Sequence, residues 1–148
     1  MSSQFNITQT IAEATPATAS TAVATKVATG LDRFAYLMVD AELTGGTGGT
    51  LDVYLQRSVT KNDGTTVWYD WAHFAQVAAG VTARYSLTPT ASGGPVTIGK
   101  DTTPALAAGS CVGGHPGEAL RAVFVAGAGT SAAGSVVINI TGIGDVRR

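Results

Sequence analysis

The sequence predicts an all-β protein: an antiparallel β-sandwich, jelly-roll-like or Ig-like, with an extended N-terminal arm. Three observations lead there. Short stretches alternate apolar and polar residues with a period of two, as Leu51, Val53 and Leu55 do against Asp52, Tyr54 and Gln56. Gly, Asp and Pro turn signals separate these stretches. No segment carries an amphipathic helical repeat beyond two turns.

Taken in order, residues 1–30 are Ala- and Thr-rich and carry a single aromatic, Phe5. The β-branched residues and Pro16 argue against a long helix, so this segment predicts an arm with strands over Phe5–Ile11 and Ala22–Ala28. The arm is expected to dock on a neighbouring subunit, because Phe5, Ile7, Ile11, Val23 and Val27 otherwise have little reason to be apolar. Residues 31–148 are expected to form the sandwich itself. There "RFAYLMVDAEL" is a strand and "GGTGG" a loop; "LDVYLQRSV", the turn "KNDG" and "TTVWYDWAHF" make a hairpin. A short helical turn is expected over "WAHFAQVAAG", then a strand at "TARYSL". Residues 88–117 hold Pro89, Pro95, Pro104 and Pro116 and many glycines, which predicts a surface excursion with at most short strands. "EALRAVFVAGA" and "GSVVINITGIG" close the fold, with Val136, Ile138 and Ile140 on one face.

Composition limits the function classes. At 148 residues one core can be buried. Charged residues are 13%, about half the usual share, which suits a chain that covers much of its surface with copies of itself or an assembly. The net charge is −1 and the basic residues are scattered, so no nucleic-acid-tracking patch is expected. Cys111 stands alone, which excludes an intrachain disulfide. The first residues show no leader pattern and no apolar run reaches membrane-span length, so no membrane association and cytoplasmic synthesis are expected.

The candidate chemistry is thin. On a regular strand Asp70 and His73 point to opposite faces, which prevents a His–Asp pair. His73 and His115 lack metal-ligand spacing, and no metal or cofactor is expected. Cys111 lacks the strand–turn–helix setting of a nucleophile, and no catalytic residue is assigned. The aromatics of the second hairpin arm are the best binding candidates. Tyr69 and Trp71 share one strand face, Trp68 the other, and Tyr69 and Trp71 are assigned to an interface.

The hairpin "TLDVYLQRSVTKNDGTTVWYDWAHFAQV", together with "GEALRAVFVAGAGTSAAGSVVINITG", resembles a pattern of small tailed-phage virion proteins over residues 31–142. The resemblance implies a β-sandwich or jelly-roll domain used as a head decoration (cement) protein, on the capsid exterior, with the major capsid protein and its own copies as partners. The alternative is a carbohydrate-binding or adhesion module of a tail or fibre, with Tyr54, Tyr69 and Trp71 as its platform.

Overall fold

The computed structural model describes residues 7–15, 23–88 and 97–144. Its strands are β1 (Ile7–Ala14), β2 (Val23–Ala28), β3 (Tyr36–Thr44), β4 (Leu51–Thr60), β5 (Thr66–His73), β6 (Thr82–Leu87), β7 (Ser110–Cys111), β8 (Leu120–Ala126) and β9 (Ser135–Ile143). They form two antiparallel sheets, A in the order β1-β9-β3-β6 and B in the order β2-β8-β4-β5-β7. The chain changes sheet at every step from β1 to β4 and returns to sheet A at β6 and β9. With the two-residue β7 set aside, this is jelly-roll wiring, and of the two sandwich types expected it is the jelly roll that forms.

Alternation builds the core. Leu37, Val39, Ala41 and Leu43 of β3 face inward beside Val136, Ile138 and Ile140 of β9. Leu51, Val53 and Leu55 of β4 oppose them from sheet B with Phe124 and Trp71, and Phe34, just before β3, joins the same cluster. Gly142 has to be glycine, because a Cβ there would lie 2.4 Å from the Phe34 ring.

The described strands of the N-terminal segment pair within this chain. β1 pairs with β9 over its whole length, and β2 pairs with β8, so each is the edge strand of one sheet of this same chain. Ile11 is accordingly a core residue, 2% exposed, and not a docking residue for a neighbour. The boundary expected at residue 30 marks only the 3-10 turn Leu31–Arg33 that follows β2.

No helical turn forms over residues 74–80. Val77 bridges Leu51 and Ala79 bridges Gly45, which keeps this stretch extended beside the start of β4. Among the described residues no helix is long and apolar enough to cross a membrane.

Candidate functional site

A bulge decides the geometry of sheet B. Leu55 pairs with Ala72 and Gln56 with Asp70, which leaves Trp71 as the extra residue of β5. Trp71 turns into the core, and its indole N–H donates to the Gly114 carbonyl at 3.2 Å. Its assignment to an interface is therefore corrected: its surface is 0% exposed within the monomer. The same extra residue shifts the parity of the strand. Asp70 and His73, expected on opposite faces, both lie on the outer face of sheet B, opposite Gln56 and Tyr54.

That outer face is roofed by residues 97–112. The two ends of the segment hydrogen-bond the edge of β5. Asp70 N–H donates to Gly99 O at 3.1 Å and Asp101 N–H to Trp68 O at 2.8 Å. Further along, Gly109 N–H donates to His73 O at 2.9 Å and Val112 N–H to Trp71 O at 2.8 Å. Between these anchors the chain crosses the face. Asp70 Oδ2 accepts the backbone N–H groups of Gly99, Ala105 and Leu106 at 2.8, 2.7 and 3.0 Å. Gln56 Nε2 donates to Asp70 Oδ1 at 3.0 Å and to Asp101 O at 2.9 Å. Its Oε1 accepts from Arg121 Nε and Nη2 at 3.1 and 2.9 Å, which fixes the amide orientation. The Arg121 guanidinium lies 4.6 Å from the centre of the Trp68 ring. Burial pushes its pKa down, and Asp101 pushes it back up.

His73 holds the other side of Leu106. Its Nδ1 lies 2.7 Å from Leu106 O and its Nε2 3.3 Å from Asp52 Oδ1, and the ring stacks on Tyr54 at 3.7 Å. A carbonyl only accepts, so Nδ1 carries a proton. Burial, and then the charges of Asp52 and Asp70, push the Tyr54 phenol up. The bulge thus gives one strand two side chains that grip both peptide groups of Leu106.

These residues can do little other chemistry. Cys111 and His73 share a cleft of about 170 Å³ with Phe74, Tyr85 and Leu87. Both His73 nitrogens already face Leu106 and Asp52, so neither serves the thiol as a base. Burial pushes the Cys111 thiol up, against the Gly113 N–H that donates to its sulfur. Among the described residues no group of three or more His, Cys, Asp or Glu could hold a metal ion.

The remaining interface candidates scatter. Ile7 on β1 is 42% exposed and Val27 on β2 44%. Val23 pairs with Phe124 in β2, and Phe5 lies outside the described residues. Tyr69 is half-buried and bridges Lys100 of the roof. The hairpin does not form an aromatic platform, because Tyr54 stacks on His73 beneath the roof and Trp71 is core.

The outer face of sheet A has no such cover among the described residues. Tyr36, Met38, Asp40 and Glu42 of β3 point outward as their neighbours point in. Asp40 stands in register with Asn139 of β9 and Ser86 of β6. A depression of about 390 Å³ lies over this row, lined by Asp40, Glu42, Arg84, Ser86 and Asn139. Only the parity of β3 hinted at this group in the sequence, because the positions on β6 and β9 meet it through pairing alone.

No family model matches the chain, and no curated protein matches it. Among solved structures it is similar to a protein of Bacillus endospore appendages, described as forming a novel family of disulfide-linked pili. The identity is 13% and the TM-score 0.45, over 97% of this chain and 90% of that one. A likeness of this strength carries no functional information.

Proposed function

We propose that this protein is a non-catalytic structural module of a tailed-phage virion, carried in a tail or fibre as an adhesion module. The supporting observation is where the reactive side chains go. Asp70, His73, Gln56 and Arg121 are occupied in fastening residues 97–112 to sheet B, and what faces outward is a sparsely charged jelly roll. Jelly rolls occur in both capsid and lectin domains, so the fold is compatible with either position in the virion.

Head decoration is the second placement. It is less well supported because it relied on an arm free to lie along neighbouring subunits. Residues 7–14 and 23–28 are instead edge strands of their own sandwich. Self-association through edges such as β1 and β6 would serve either placement, since an edge strand offers unpaired backbone to an added strand.

The experiment is to separate heads from tails of particles that encode this chain and probe both with antibody. Label on tails or fibres is the expected result. Label on heads alone would favour decoration, and absence from purified particles would overturn the virion reading altogether.

A further inference from the structure

We propose that the outer face of sheet A binds a neutral, hydroxyl-rich glycan, gripped by Asp40, Asn139 and Ser86, with Tyr36 as a stacking platform. The inference deepens the adhesion reading above and rests on it.

Register places Asn139, Asp40 and Ser86 in one row across β9, β3 and β6, about 10 Å wide at the usual strand spacing. Among the described residues the row has unused hydrogen-bonding capacity. Among the described residues nothing donates to the Asp40 carboxylate. Asn139 Oδ1 accepts from the Thr10 hydroxyl at 2.7 Å, which leaves the amide N–H groups for a ligand. An acceptor flanked by an amide donor and a hydroxyl is the pattern that recognises neighbouring sugar hydroxyls.

Several surrounding polar groups already pair with one another. Thr8 and Thr141 bond each other at 2.9 Å, as do Thr44 and Thr82, and Arg84 Nε donates to Glu42 Oε2 at 2.7 Å. Among the described residues, open hydrogen-bonding positions remain on the central row, with the Arg84 Nη groups at its side.

Tyr36 supplies a second and independent feature. It is an aromatic 69% exposed, on the same face of the same strand as Asp40. Four residues of strand separate the two by about 13 Å, the reach of a short oligosaccharide. An aromatic ring takes the apolar C–H face of a sugar while polar groups take its hydroxyls.

The charge balance selects a neutral ligand. Among the described residues the depression is lined by two carboxylates, Asp40 and Glu42, and one cation, Arg84, so its charge disfavours an anionic sugar. A protein partner fits less well, because the polar Asn139–Asp40–Ser86 row takes the place of the apolar centre that such interfaces bury.

The test prints neutral bacterial polysaccharides and their oligosaccharide fragments on an array, beside acidic ones, and applies the full chain. Binding to neutral glycans, little affected by salt, is expected. Tyr36→Ala, Asp40→Ala and Asn139→Ala should each weaken it roughly tenfold or more, with unchanged melting temperatures. Retention of no arrayed glycan would overturn the proposal, as would salt-sensitive binding of acidic glycans alone, or binding indifferent to Tyr36→Ala and Asp40→Ala. Should it fail while the chain is still found on tails or fibres, the glycan face falls and the structural reading stands.

Discussion

The outer faces of the two sheets are built from the same strand alternation and have opposite fates. Sheet B carries Gln56, Asp70, His73 and Arg121 on its outer side, and residues 97–112 close over them. Sheet A carries Asp40, Glu42, Arg84 and Asn139 on its outer side, open among the described residues. Asp70 is 0% exposed and accepts three backbone N–H groups and a side-chain amide; Asp40 is partly exposed and accepts none among the described residues. The difference shows that an aspartate on a strand is a fastener where backbone donors are delivered to it and keeps open acceptor positions where they are not. On sheet B the bulge and the long β6–β8 connection deliver them; on sheet A nothing described does.

Matched substitutions would break or sharpen that contrast. Asp70→Ala should have the largest effect. It leaves buried N–H groups without an acceptor and should cost about 3 kcal/mol or more, lowering the melting temperature by roughly 10 °C. Asp40→Ala, the same change on the other face, should stay within about 0.5 kcal/mol in the same denaturation experiment. Equal losses at the two positions would erase the distinction.

His73→Ala comes next, at about 1–3 kcal/mol, through loss of its hydrogen bond to Leu106 O and of the stack on Tyr54. Hydrogen exchange should then quicken at residues 105–107 and leave sheet A protected. Quickening spread evenly over both sheets would show that the roof is not a separate unit.

The tip of the β4–β5 hairpin is a smaller case. Gly64 has φ 83°, and a Cβ there would meet nothing within 4 Å. Gly64→Val should therefore cost about 1 kcal/mol through backbone strain alone. Gly64→Asn should cost less, because Asn tolerates the left-handed region, and chemical denaturation of the pair would separate strain from packing.

The smallest effect is a pH dependence in the same turn. Thr65 donates its hydroxyl and its N–H to Asp63 Oδ1 at 2.6 and 2.9 Å, which holds that carboxyl below the ordinary aspartate range. The folded value lies below the unfolded one. The contribution is thus present above the unfolded aspartate range and fades as pH falls through the folded value. The Thr65 amide resonance should follow that transition, and Asp63→Asn should remove it.

Several features were legible in the residues alone. Period-two alternation in β3, β4 and β9 determines which side chains are core, because successive strand residues face opposite ways whatever the strand pairs with. Asp63-Gly64 determines a turn, since its backbone requirement is local and Gly64 does take positive φ. Other features depend on partners distant in the chain, and only the tertiary structure decided them. Whether residues 7–14 and 23–28 are a free arm or edge strands depends on β9 and β8, more than a hundred and about ninety residues away. The bulge that buries Trp71 and brings Asp70 and His73 to one face is a fact of the pairing with β4, because a single unpaired residue inverts parity without any mark in the sequence of β5. The Asn139–Asp40–Ser86 row is assembled by register between three strands, so no spacing along the chain could display it.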